Sequence, residues 1–319
     1  MSHLLTITNS GTAEMAFAGE TPWHGLGQIM LPGASIDEWR TAAGMDWEIK
    51  RTHVQYTNGE LHDWKANEVL YRSDTNAPLS IVSPKYKIVQ PRQVLEFFRS
   101  LCEKNGFELE TAGTMKGGRR FWALARTGLG GEVVDGDQVN TYLLLVTSCD
   151  KGLATDTFFT SIRVVCNNTL QMSFRENHGN RVSVRHNTEF NPDDVKTELG
   201  LNVTDVFTDF MDRMKGFANT SLTGSQAEEI IEAMFAKKGV TVPIRTTKGF
   251  KSVMQLFNGV GKGSRIDGVA GTAWGLVNAV TEYSDFHIRA KNQEYRLDSA
   301  WFGAGRSLKE NILELVAEV

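Results

Sequence analysis

An α+β fold, with a mainly antiparallel sheet and a backing helix in the first two thirds and a helix-rich final third, is predicted by three observations in this 319-residue chain. Strand-like runs dominate up to about residue 190, helical spacing dominates after it, and the clearest amphipathic helix leads directly into the clearest hairpin. Strands first and helices later argue against an alternating βαβ array. The sequence divides accordingly into an N-terminal arm or loop over 1–33, a β-rich α+β core over 34–190, and a helical region over 191–319 packed on that core.

Residues 1–33 carry Gly, Pro and Thr without a period. Ser35 with Glu38 three residues later reads as a capping box opening a short helix, with Trp39 and Ala43 on one face. Trp47 and Ile49 alternate, then Val54 and Tyr56 alternate in the opposite phase, so a strand bulged near Arg51 is expected. Glu68–Arg72 and Tyr86–Val89 are further strand candidates. Val94, Leu95, Phe98, Leu101 and Cys102 fall at helical spacing over Arg92–Lys104, and Asn105-Gly106 supplies the stop. A hairpin follows: Phe107–Thr114, a turn at Lys116-Gly117-Gly118, then Arg119–Thr127. Asn140–Ser148 is a nearly continuous apolar strand, and Thr155–Val165 pairs with it through Asp150-Lys151-Gly152. Helical spacing then covers 193–215, 225–237, 248–257, 272–283 and 307–319, with Ser225 and Glu228 as a second capping box.

Composition places the chain among ordinary soluble globular proteins, with 41% hydrophobic and 23% charged residues. A net charge of −4 excludes a globally basic coat, but charge is uneven. Residues 1–80 hold five basic and ten acidic side chains, whereas 81–130 hold nine basic and four acidic. Residues 191–240 are acidic again, and 241–270 hold five basic side chains against one acidic. Positive charge is therefore concentrated on the helix–hairpin unit and on one Gly-rich stretch.

Lys116-Gly117-Gly118-Arg119-Arg120-Phe121-Trp122 sets three cations and two aromatics around a tip. Cations neutralise phosphates, glycines let the backbone come close, and an aromatic face stacks a base. The competing reading is a solvated hairpin end with Phe121 or Trp122 in the core. Gly259-Val260-Gly261-Lys262-Gly263-Ser264-Arg265 lacks the Walker spacing and the preceding strand, leaving a basic loop or a simple phosphate contact. Cys102, Cys149 and Cys166 are odd in number and without a CxxC pair, so no zinc site, disulfide framework or other cofactor is expected, and a reducing compartment is. Cys166 with His178 or His186 is a conceivable thiol–imidazole pair, but nothing local brings them together. The seven histidines show neither HxxxH nor HExxH spacing, and no catalytic motif is recognised. The N-terminus has no secretory pattern and no apolar run is long enough for a bilayer, so the expected location is the cytoplasm, with no membrane partner.

Several segments carry a family resemblance. They are Pro22-Trp23-His24-Gly25-Leu26-Gly27, Tyr86-Lys87-Ile88-Val89-Gln90, the run from Phe159 through Cys166-Asn167-Asn168 to Leu170, the run from Gly271 to Tyr283, and Ser299-Ala300-Trp301-Phe302-Gly303. Together they resemble the phage/plasmid-like proteins of the DUF932 family almost end to end. The resemblance implies a mobile element, a bacteriophage or prophage, and hence the host cytoplasm and a setting in DNA metabolism. It carries no functional residues. The coarse order is also similar to the core of Rad52-type single-strand annealing proteins.

The expected function is non-catalytic binding of single-stranded DNA by a homo-oligomer, with strand annealing in recombination as its use. The expected groove consists of Lys85, Lys87, Arg92, Lys116, Arg119, Arg120 and Arg163, with Trp122 for stacking and Lys262 and Arg265 as a second basic site. The alternative is a phage interaction protein that counters host defence or redirects a host factor, with a host or phage protein as partner.

Overall fold

The computed structural model describes residues 5–8, 10–19, 26–163, 168–171, 181–200, 203–236, 243–289, 299–300 and 303–319. The Trp23-His24 segment, Cys166, His178 and Trp301-Phe302 lie outside the described residues, as does the side chain of Arg163.

The chain runs β1 (Met15–Ala18), β2 (Gln28–Met30), α1 (Ile36–Ala42), β3 (Ile49–Asn58), β4 (Glu60–Arg72), β5 (Pro78–Val82) and α2 (Pro91–Asn105). It continues through β6 (Glu108–Met115), β7 (Arg120–Glu132), β8 (Gln138–Ser148), β9 (Thr155–Arg163), β10 (Asn168–Gln171) and β11 (Arg181–Val184). The helices α3 (Pro192–Leu199), α4 (Val203–Asn219), α5 (Gly224–Phe235), α6 (Lys248–Gln255), α7 (Ala273–Glu282) and α8 (Ala304–Val316) complete it. The order is α+β, as its sequence predicts. The large sheet has the order β10-β9-β8-β7-β6-β1-β2, with β11 also paired to β9, and β3-β4-β5 form a separate sheet. Only β1 and β2 run parallel among the pairs whose register is described.

Two compact units divide the chain, one of Met1–Gly128, Tyr142–Phe159 and Ser173–Asn202, the other of Leu129–Thr141, Thr160–Met172 and Val203–Val319. In the first unit α2 turns Val94, Leu95, Phe97 and Phe98 inward with no exposure. Their spacing around the helix makes one apolar stripe, and Gly106 ends it in the left-handed conformation. The α1 capping box forms as read from Ser35 and Glu38. In the second unit every residue of α7 is buried. A helix with no solvated face must satisfy its own polar groups: Asn278 Nδ2 donates to the Trp274 carbonyl and Thr281 Oγ1 to that of Val277, both at 2.8 Å. Trp274 Nε1 donates to the fully buried Asp137 carboxylate at 2.7 Å. Among the described residues no helix is long and apolar enough to cross a membrane.

Several local expectations are corrected. Tyr86–Val89 is not a strand: Tyr86 and Val89 are buried, but the segment is an irregular stretch after a turn at Pro84-Lys85, and its Lys87 N–H donates to the His186 carbonyl. Burial of the apolar residues there reflects packing without a ladder. The β3 bulge lies between His53 and Val54 rather than near Arg51, and β4 extends back from Glu68 to Glu60. The helix expected over 193–215 is two helices, because Gly200 takes the left-handed conformation and ends α3. Thr223 and Gln226, not Ser225 and Glu228, form the α5 capping box, since Ser225 is already inside the helix. Within the expected arm, β1 pairs antiparallel with β6 and is buried over Met15–Phe17.

Candidate nucleic-acid interface

The hairpin tip between β6 and β7 is held by three consecutive left-handed residues, Lys116, Gly117 and Gly118. Gly118 has no room for a side chain: a Cβ would lie 2.8 Å from the Trp47 ring and 3.0 Å from Arg72 Nη1. Gly118→Ala therefore combines a clash with a φ of +88°. It is expected to cost about 2 kcal/mol, measured as a lowered urea midpoint, whereas Gly117, whose Cβ position is open, tolerates Ala at roughly half that cost.

Beneath the tip lies a buried charge network. The Arg72 guanidinium stacks over Trp47 at 4.2 Å, donates to both Glu14 oxygens at 3.0 and 2.8 Å, and reaches Asp74 at 3.0 and 2.7 Å. Thr114 Oγ1 donates to Glu14 as well. Burial disfavours the Arg72 charge, but the hydrogen bonds to Asp74 and Glu14 more than offset it and raise the pKa. The hydrogen bond from Arg72 holds the Asp74 carboxyl below its ordinary range.

Two residues expected at a solvated tip are inside. Arg120 is 8% exposed and Trp122 3%. Arg120 Nη2 lies against Gly152, where a Cβ would come within 2.7 Å of it. The Trp122 ring lies 2.8 Å from where a Gly113 Cβ would be, and its Nε1 donates to Thr111 Oγ1 at 3.3 Å. Strand alternation sends Phe121 and Trp122 to opposite faces, but both faces of β7 are covered here and both residues are buried. Trp122 thus has no free face for a base. Arg119 is exposed and Lys116 half-buried.

The β6–β7 tip and the β8–β9 turn fall at the same end of the sheet, as alternate turns of an antiparallel meander must. The Cys149 N–H donates to the Arg119 carbonyl at 2.9 Å and joins them. Beside this turn a groove opens whose rim carries Lys85, Lys151 and Arg185, all exposed, over a floor of Tyr86, Leu153 and His186. Lys151 is itself left-handed, in a turn closed by the Gly152 N–H donating to Asp150 Oδ1. Tyr86 stacks on His186 at 4.6 Å and 15°, and its hydroxyl donates to the Ser148 carbonyl at 2.9 Å. Burial pushes the Tyr86 phenol above its ordinary pKa, so it stays neutral.

His186 ties three segments together, its Nδ1 lying 3.0 Å from the Lys87 carbonyl and its Nε2 3.1 Å from that of Leu153. Burial pushes its pKa below the ordinary 6.5, and the two carbonyls only partly counter that. The unfolded chain therefore takes up the proton first, and stability falls as pH drops below 6.5 toward the folded value. An NMR titration is expected to place the His186 midpoint below 6.5, and His186→Gln to flatten the acid slope of stability.

Of the other expected cations, Lys87 is exposed and pairs with Glu189 at 3.1 Å beside the groove. Arg92 lies in the first turn of α2, paired with Glu96 at 3.6 Å, and makes none of the contacts that join the groove's segments. Lys262 and Arg265 are exposed on the second unit. The Lys262 N–H donates to Glu282 Oε2 at 2.9 Å, so a carboxylate of the chain already takes the donor a phosphate would need. Lys151 and Arg185 were not expected; the Asp-Lys-Gly turn after a core strand was the available signal for Lys151. Cys102 and Cys149 are free thiols, and burial pushes Cys149 up to about 12, far from a nucleophile. No cluster of three metal-ligating side chains occurs among the described residues.

A family model, the domain of unknown function DUF932, matches residues 78–301. No curated protein and no solved structure matches the chain. The groove lies inside the matched span, and the β3–β4 hairpin lies before it.

Proposed function

Because the chain belongs to the DUF932 family, whose function is unknown, we propose its activity from the groove: it binds single-stranded DNA without catalysing a reaction on it. The supporting observation is the convergence of four segments at one end of an antiparallel sheet, bringing the exposed Lys85, Lys151 and Arg185 together beside Lys87, Lys116 and Arg119. Cations on flexible side chains at loop tips follow a phosphate backbone with no need for a defined base sequence. Asp150 and Glu189 are nearby carboxylates, and Asp156 is already paired with Arg181 at 3.0 Å, so the cluster keeps a positive excess. Strand annealing by an oligomer of a mobile-element protein in the host cytoplasm is the use we assign to such binding.

The test is a fluorescence titration of a labelled oligonucleotide at several salt concentrations. Single-strand binding through phosphates gives log affinity falling linearly with log salt, at about 0.7 per contact. Absence of binding at low salt would sink this reading. It would favour the alternative of an interaction protein directed at a host factor, for which the exposed apolar residues of the β3–β4 hairpin are the supporting observation.

A further inference from the structure

The outer part of the β3–β4 hairpin is exposed on both faces, with Asn58-Gly59-Glu60 as its tip. Its two faces differ. On one, Gln55 Nε2 donates to Asp63 Oδ1 at 2.9 Å across the strands. On the other, Val54 is paired with Trp64 and Tyr56 with His62, and Ile81 of β5 joins them around a shallow apolar concavity. Tyr56 is 49% exposed, Trp64 50% and Ile81 51%. Tyr56 stacks on His62 at 5.2 Å, and Trp64 Nε1 donates to Asn67 Oδ1 at 2.9 Å, so the indole's polar edge is satisfied and its apolar ring is what remains outside. Such a face, rimmed by polar residues, marks an interaction surface.

Charge identifies its occupant. Residues 53–64 contain Glu60 and Asp63 and no Lys or Arg, so a nucleic acid or an anionic membrane would meet repulsion where it needs cations. Lys50 and Arg51 lie at the root of the same hairpin, and Arg51 is paired with Glu68 at 2.8 Å. The hairpin is acidic at its tip and basic at its root. A two-fold axis across the apolar face sets the tip of one copy on the root of the other, pairing Glu60, which shares that face with His62 and Trp64, with Lys50, which shares it with Val54 and Tyr56. Half of Tyr56, Trp64 and Ile81 amounts to on the order of 300 Å² of apolar surface per copy, against about 800 Å² a side for a standard interface. The rest of such an interface is supplied by the polar residues around the face.

We propose that the Val54–Tyr56–His62–Trp64–Ile81 face of the β3–β4 hairpin docks on the same face of a second copy of this chain, in antiparallel orientation about a two-fold axis. The contact is isologous and closes as a dimer. It lies on a hairpin remote in sequence from the groove's Lys85, Lys151 and Arg185, and it does not depend on DNA.

Sedimentation velocity of the full chain without nucleic acid, over a series of protein concentrations, tests it. The wild type is expected at twice the mass of one chain, and Tyr56→Ser with Trp64→Ser at the mass of one, with an unchanged circular dichroism spectrum because both side chains are half-exposed. A wild type that stays at the mass of one chain at every concentration overturns the proposal and assigns the face to another protein. So does a folded double variant that keeps the wild-type mass. Glu60→Lys is expected to weaken association, and adding Lys50→Glu to restore it; failure of that restoration overturns the antiparallel arrangement. Loss of DNA binding on changing Lys85, Lys151 and Arg185, with the dimer intact, separates this interface from the groove.

Discussion

Replacing Lys85, Lys151 and Arg185 together with Ala is expected to lower affinity for single-stranded DNA by about 100-fold at 0.1 M salt. Three phosphate contacts at roughly 0.7 each also reduce the magnitude of the log–log salt slope by about 2. All three side chains are exposed. None takes part in the buried Glu14–Arg72 network or in the α2 core, so the fold and its melting temperature are expected to stay as they are. Lys262→Ala with Arg265→Ala is the control: it removes two positive charges from the second unit and is expected to leave the slope within one contact of wild type. If both variants lower the slope equally, the DNA follows net charge and the groove is not its site. The choice of residues matters for interpretation. An Arg120→Ala change would confuse lost contacts with a cavity under Gly152, because Arg120 is only 8% exposed.

The largest effect on stability is expected at Arg72. Its side chain is 4% exposed and that of its partner Glu14 6%, so Arg72→Ala strands a carboxylate in the interior and removes the cation stacked on Trp47. Removing one partner of a buried pair costs about 3–5 kcal/mol. Asp74 is 38% exposed in its side chain and water screens its contribution, so Asp74→Asn is expected to cost about 1 kcal/mol or less. Urea unfolding gives the global values, and hydrogen exchange of β6 and β7 amides reports the local loss beside Thr114. A double change, Glu14→Gln with Arg72→Met, removes both charges and is expected to recover a large part of the loss. Equal costs for Arg72→Ala and Asp74→Asn would mean that Glu14 finds another partner at no cost.

What the amino-acid sequence by itself determined is local. The α2 stripe of Val94, Leu95, Phe98 and Leu101, the Ser35–Glu38 capping box, the β6–β7 hairpin and the β8 core strand each depend on neighbours a few residues away, and each forms where the sequence places it. The order of strands before helices follows from the same signals, and with it the α+β class. The tertiary structure alone decided which cations share a surface. Arg120 and Trp122 lie within three residues of the exposed Arg119, yet they are buried, because a central strand is covered on both faces and periodicity cannot say so. Lys85, Lys151 and Arg185 are far apart in sequence; antiparallel pairing brings Lys151 and Arg185 to one end of the large sheet, and the Tyr86–Ser148 and His186 contacts hold the Lys85 loop there. The two hairpins differ for the same reason: β6–β7 lies inside the large sheet, whereas the outer part of β3–β4 is exposed on both faces, Tyr56 and Trp64 included. A side chain's neighbours on its own strand are written in the sequence, but what covers that strand is set by long-range packing.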